Sequence, residues 1–221
     1  MIHCFSGISD MGLVYQTAYF LTRALAHCCF DYRVFNREAI PPSGGLILAM
    51  NHQSFLDPPL AGIACDREIY FLARKSLLKI PVLGRFLLDL NVIPYDQEGT
   101  DMSALKSVIR VVRAGEAAVV FPEGTRSRDA HLLPAQSGLG LIVAKTLAPV
   151  VPMRIFGAHE AFPRDASKVR LTPITVVVGE VLRFGAGDFK GDPKAAYRRV
   201  SELVMQRIST LRCPPRRPTL I

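Results

Sequence analysis

Short apolar runs alternating with helix-period stretches along 221 residues predict an α/β fold, a single domain with a mainly parallel or mixed central β-sheet covered by helices. Three observations carry this expectation. The runs at 46–50, 117–121 and 150–156 are apolar with little alternation, as in strands buried on both faces. Segments with apolar residues at helical spacing stand between them. The first two of these runs end in polar motifs, which is where chemistry in an α/β sheet is placed.

Residues 11–30, MGLVYQTAYFLTRALAHCCF, read as an apolar N-terminal helix interrupted by Gln16, Thr17, Thr22, Arg23 and His27. It is too polar to cross a bilayer comfortably and too apolar for an ordinary surface helix. It fits a helix lying in a membrane interface or one packed on the domain. Pro41 to Gly45 make a turn into the strand 46–50, and a helix follows at Asp57 and Pro58. Residues 68–73 read as a short strand. The basic and apolar segment 75–89, broken by Pro81 and Gly84, reads as a flap or a packed helical connection. Residues 91–95 form a brief strand, and 103–113 a helix with Leu105, Val108, Ile109 and Val112 on one face. A strand at 117–121, a helix at 137–147, strands at 150–156 and 171–179, and an amphipathic helix at 195–211 complete the order. The resulting plan is an apolar helical segment at 1–32, the domain at 33–212 and an extended tail at 213–221.

A chain of this length builds a core without metal or disulfide staples. The hydrophobic share of 49% and the net charge of +8 together suggest a surface that meets anionic lipid. An acidic carrier protein also suits the charge. The chain has no Trp and little aromatic interleaving of its basic residues, so no nucleic-acid partner is expected. Cys4, Cys28, Cys29, Cys65 and Cys213 are odd in number and lack C-x-x-C spacing, which points to reduced thiols in a cytosol. No cleaved signal peptide and no classical membrane span are expected.

Two motifs carry chemistry. In NHQSFLDP, His52 stands five positions before Asp57 at the end of a strand. An imidazole takes a proton near neutral pH, and a carboxylate on its other ring nitrogen fixes the tautomer. The same residues also suit an ordinary helix start, with Asp57 as N-cap or Ser54-x-x-Asp57 as a capping box. In FPEGTRSR, Gly124 allows close backbone approach, Thr125 offers a hydroxyl, and Arg126 can grip a phosphate or carboxylate. A plain turn with Glu123 paired to Arg126 fits as well.

NHQSFLDP, the basic apolar segment through Gly84, FPEGTRSR and Val150-Val151-Pro152-Met153 occur in one order and spacing. Across residues 33 to 185 the chain resembles the lysophospholipid acyltransferase family typified by 1-acylglycerol-3-phosphate acyltransferase. The resemblance implies a glycerolipid acyltransferase-like fold. It also implies transfer of a fatty acyl group from a thioester, on coenzyme A or acyl carrier protein, to the hydroxyl of a lysolipid. His52 is then the base and Asp57 its support. Glu123, Gly124, Thr125 and Arg126 bind the acceptor, and Pro152 marks a stretch linked to donor binding or packing behind the site. No metal or nucleotide cofactor is implied.

Such an enzyme is expected at the cytoplasmic side of the membrane, peripheral or monotopic. Its acyl chain needs a groove, for which Leu77, Leu78, Ile80, Val82, Leu83, Phe86 and Leu87 are candidates. Two departures stand out. Gln97 and Gln136 occupy positions where many relatives carry a phosphate-gripping cation, leaving Arg85, Arg128 or Lys75 to compensate. The phosphatidic-acid-forming reaction is therefore weighed against a zwitterionic or amino-acid-containing acceptor, and against a non-catalytic lipid-binding domain.

Overall fold

The computed structural model describes residues 11–81, 83–95 and 102–215. Seven strands form one mixed sheet in the order β1-β7-β6-β2-β5-β3-β4. They are β1 (Arg33–Phe35), β2 (Leu46–Met50), β3 (Ile69–Arg74), β4 (Val92–Tyr95), β5 (Ala117–Val120), β6 (Val150–Phe156) and β7 (Thr175–Val178). Neighbours run parallel except β6 and β7, so the expected α/β plan is met in its mixed form.

The absence of sequence alternation in the central strands has a direct cause. Leu46, Leu48 and Met50 of β2 enter one core, while Ile47 and Ala49 enter the other. Successive side chains of a strand point to opposite faces, so covering both faces demands an unbroken apolar run. The first face is covered by α1 (Leu13–Phe30) and α2 (Asp57–Gly62), the second by α5 (Met102–Arg113), α6 (Gly138–Thr146) and α8 (Pro193–Thr210). The 75–89 segment is a helical connection made of α3 (Lys75–Leu78) and α4 (Leu83–Asp89), and α7 (Ala158–Ala161) follows β6.

One side of α1 packs on the domain, as one of the two readings expects. Tyr15, Tyr19 and Ala26 are buried, and Tyr15 and Tyr19 anchor the helix through polar tips. The Tyr15 hydroxyl accepts from the Ile69 amide at 3.1 Å, and Tyr19 donates to Asp66 at 2.9 Å, where Arg37 also pairs. The opposite side leaves Leu13, Phe20, Leu21 and Leu25 more than half exposed. Among the described residues no helix is long and apolar enough to cross a membrane.

Two element boundaries and one unread strand differ most from the sequence reading. The strand read at 171–179 is confined to Thr175–Val178. Pro173 lacks the amide proton needed to continue the ladder upstream. The last helix starts at Pro193, because Asp192 caps it by accepting from the Ala195 amide at 2.8 Å and proline suits the first helical position. The edge strand β1 has three residues, too few to show a period. Cys28, Cys29, Cys65 and Cys213 are free thiols, while Cys4 and residues 216–221 lie outside the described residues.

Helices α6 and α8 approach closely where Gly140 faces the backbone of Tyr197, and the Gly140 amide donates to the buried Ser201 hydroxyl at 2.9 Å. A Cβ at Gly140 would collide with that backbone. Gly140→Ala is expected to lower stability by about 1 to 3 kcal/mol in urea unfolding. An unchanged midpoint would show that the two helices part without cost.

Candidate active site

Parallel strands β2 and β5 are neighbours in register, so the loops leaving their C-terminal ends meet. The chain leaves β2 toward β3 on one side, returns through β5, and passes to β6 on the other side. Such a reversal opens a crevice at the strand ends. NHQSFLDP leaves β2 and FPEGTRSR leaves β5, so the crevice is lined by the two motifs that the sequence singled out.

Asp57 is fully buried. Its Oδ2 accepts from the Gln53 amide at 2.5 Å and the Ser54 amide at 2.7 Å, and lies 2.8 Å from His52 Nδ1. An ionised carboxylate only accepts, so the proton of a neutral His52 sits on Nδ1 and the Nε2 lone pair is left free. The helix-start alternative is met in part. Asp57 takes the Ser54 amide as in a capping box, yet the N-cap position belongs to Leu56 and Ser54 Oγ accepts from the Leu56 amide at 3.1 Å. Ser54 Oγ also donates to the Phe162 carbonyl at 2.6 Å, which ties the loop to the segment after β6.

The FPEGTRSR loop holds His52 by its main chain. Glu123 Oε1 accepts from the His52 amide at 2.7 Å, Glu123 Oε2 accepts from the Leu133 amide at 2.8 Å, and the Ser127 amide donates to the His52 carbonyl at 2.8 Å. Phe121 stacks on the imidazole with ring centroids 4.0 Å apart and planes 17° apart. Asn51 completes the frame by bonding both the amide and carbonyl of Ile155 in β6. The Gly124 amide closes a turn on the Phe121 carbonyl at 3.0 Å, and Gly124 has φ +68 with the Gln136 side chain against it. Any other residue there is strained and crowded.

The sequence-derived site residues separate into three groups. His52, Asp57 and Glu123 are joined through the His52 ring and backbone. Glu123 is only 2% exposed and both its oxygens are engaged by amides, so the Glu123–Arg126 pair considered from sequence does not form. Thr125 is exposed in the same turn, and the Arg126 guanidinium carbon lies 3.5 Å from the centroid of the Phe55 ring. Arg126 Nη1 is buried without a hydrogen-bond partner. Burial, then the charges of Arg164 and Arg74, hold this guanidinium below its usual pKa. Pro152 is not in the crevice. It is buried in β6, where its carbonyl accepts from the Gly179 amide at 2.8 Å.

Gln97 lies outside the described residues. Asn51, Phe55 and Phe121 were visible as motif letters but gave no sign of their roles, which depend on partners remote in sequence. Arg74 and Arg164 gave no signal at all. Among the described residues no group of three or more His, Cys, Asp or Glu side chains could hold a metal ion.

Burial raises the pKa of Glu123 to about 7, against the lowering effect of its two amide donors. A carboxyl whose pKa rises on folding favours the fold most below its unfolded value, about 4.3, and loses that advantage as pH climbs through the folded value. Thermal unfolding across this window is expected to show wild type losing stability relative to Glu123→Gln, by up to about 3 kcal/mol. Parallel pH profiles would contradict the shift.

The acyltransferase family profile matches residues 31–156. The 1-acyl-sn-glycerol-3-phosphate acyltransferase of Bacillus subtilis (strain 168) is 28% identical over 184 residues, covering 81% of this chain and 87% of its own length. The enzyme of the same name from Helicobacter pylori (strain J99) is 30% identical over 157 residues, covering 67% of this chain and 66% of its own. The crystal structure of the 1-acyl-sn-glycerophosphate acyltransferase PlsC from Thermotoga maritima superposes with a TM-score of 0.73 at 23% identity, covering 90% of this chain and 81% of that one. That likeness establishes the shared fold. With more than half of its length matched by the family profile, this chain belongs to the acyltransferase family.

Proposed function

We propose that this acyltransferase moves a fatty acyl group from a thioester of coenzyme A or acyl carrier protein to the free hydroxyl of 1-acyl-sn-glycerol-3-phosphate, yielding phosphatidic acid. The observation that carries the reading is the His52–Asp57 pair, with Nδ1 held at 2.8 Å by a buried carboxylate and Nε2 left to accept a proton. The names of the similar enzymes support the acceptor, and Arg126 beside the pair supports a phosphate.

The thioester is already an activated donor, so the chain chiefly aligns and deprotonates the hydroxyl. His52 Nε2 removes the hydroxyl proton as the oxygen attacks the thioester carbonyl. The tetrahedral intermediate then collapses, the carbon–sulfur bond breaks, and the thiolate takes the proton back from the imidazolium. Asp57 stabilises that imidazolium, and Arg126 binds the acceptor phosphate with the Gly124–Thr125 turn beside it. Glu123 serves by fixing the His52 main chain.

Two further features fit a lipid substrate. The exposed apolar side of α1, with Leu13 79% and Leu25 62% exposed, suits peripheral docking on the cytoplasmic leaflet. Between α1 and α2 lies a cavity of about 220 Å³, lined by Tyr15, Tyr19, Pro58, Phe71, Leu87 and Leu90 among others. It begins beside the helix that carries Asp57 and offers an apolar path for an acyl chain. Among the groove candidates whose side chains are described only Leu87 contributes, and Leu77 and Ile80 are exposed; the side chains of Val82, Leu83 and Phe86 lie outside the described residues.

Free-thiol release from acyl-coenzyme A and from acyl carrier protein is expected to require lysophosphatidic acid in wild type. His52→Ala, folded as judged by circular dichroism, is expected to lose about a hundredfold to ten-thousandfold of that rate. Equal release by both proteins would remove His52 from the chemistry. Faster release with lysophosphatidylcholine or a lyso-aminolipid would replace the acceptor. No release with any lysolipid, from either donor, would favour a lipid-binding domain.

A further inference from the structure

We infer that Arg164, on the connection between β6 and β7, is a specificity-determining residue that joins Arg126 and Arg74 in gripping the acceptor's phosphate dianion. The inference rests on the acceptor proposed above and adds a residue from a segment outside both motifs.

The connection is fastened to the crevice at several points. Ser54 Oγ donates to the Phe162 carbonyl at 2.6 Å, Ser54 and Pro163 form an antiparallel bridge, and the Phe55 and Phe162 rings lie 5.7 Å apart. Phe55 is also the ring on which the Arg126 guanidinium rests, 3.5 Å from the centroid. Arg164 follows Pro163 directly, so the bridge to Ser54 sets it at the rim where Arg126 lies. Arg74 ends β3 opposite Tyr95 of β4, and both act electrostatically on Arg126.

Three half-buried guanidinium groups therefore share one neighbourhood. Among the described residues none of the three is ion-paired with a carboxylate, and Arg126 Nη1 is buried with no hydrogen-bond partner. Gathering like charges away from water is unfavourable unless an anion joins them. A phosphate monoester brings between about one and a half and two negative charges and several acceptor oxygens. A zwitterionic headgroup would carry its ammonium against the same cluster. The cluster thus offsets the cation missing at Gln136, whose side chain packs against Gly124 instead.

The test uses the full chain as wild type, Arg164→Ala and Arg164→Lys. Steady-state transfer is expected to show KM for lysophosphatidic acid raised about tenfold to a hundredfold in Arg164→Ala, with kcat and the donor KM unchanged and with Arg164→Lys recovering most of the loss. In parallel, inorganic phosphate is expected to raise the melting temperature of wild type more than that of Arg164→Ala. An unchanged KM for lysophosphatidic acid in Arg164→Ala overturns the inference while leaving the acyltransfer reaction in place. An equal rise in KM for monoacylglycerol, which has no phosphate, overturns it as a loss of structure. Phosphate stabilisation that depends on Arg164, without transfer to any lysolipid, upholds the anion site and removes the proposed acceptor reaction. Neither transfer nor phosphate stabilisation overturns both.

Discussion

One oxygen of Asp57 collects the Gln53 and Ser54 amides and His52 Nδ1 at a point where the residue is fully buried, and the crevice depends on that convergence. A carboxylate without water is costly, and hydrogen bonds to it recover about 1.5 to 3 kcal/mol each. Those bonds come from the loop itself and all fall on Oδ2, while Oδ1 is buried without a hydrogen-bond partner, so holding that one oxygen and bending the loop are one event. The same oxygen sets the imidazole tautomer. In the proposed reaction, the group that keeps the loop folded also occupies Nδ1 and so leaves Nε2 as the nitrogen that takes the proton.

Around this charge the sheet supplies rigidity. β2 lies between β5 and β6, and the loop leaving it is attached to both neighbours: Asn51 bonds Ile155, and Glu123 and Ser127 bond the His52 main chain. A ring held by a carboxylate at one edge and a stacked Phe121 on one face has little freedom. Such preorganisation matters for a thioester donor, because alignment rather than activation is the larger demand. Glu123 adds a second buried carboxyl beside the first, and its raised pKa is the energetic trace of that burial.

Much of this was legible in the sequence because the signals were contiguous. The runs at 46–50, 117–120 and 150–153 had to be apolar throughout to fill two cores, and that is how they read. NHQSFLDP held both members of the His–Asp pair within one loop, so spacing alone put them in reach. Glu123 was legible as a motif residue but not as a clamp, since its partners are backbone amides that no side chain announces. Pro152 was marked by its motif for donor binding or for packing behind the site, and it is buried in β6 beside Ala49 of β2. Arg74 ends β3 and Arg164 lies on the connection between β6 and β7, and both come to act on Arg126 only through the fold. Strand β1 was too short for a period, and the start of α8 was set by the Asp192 cap rather than by its apolar face.

The proposed reaction requires buried Asp57 to hold His52 as the Nδ1–H tautomer with Nε2 free. Nitrogen-15 NMR of histidine-labelled protein at mildly alkaline pH measures this directly, through the separate shifts of protonated and unprotonated ring nitrogens. Wild type is expected to show His52 with a protonated Nδ1 and a free Nε2, and Asp57→Asn to lose that preference. A His52 carrying its proton on Nε2 in wild type, or a tautomer indifferent to Asp57→Asn, would contradict the account.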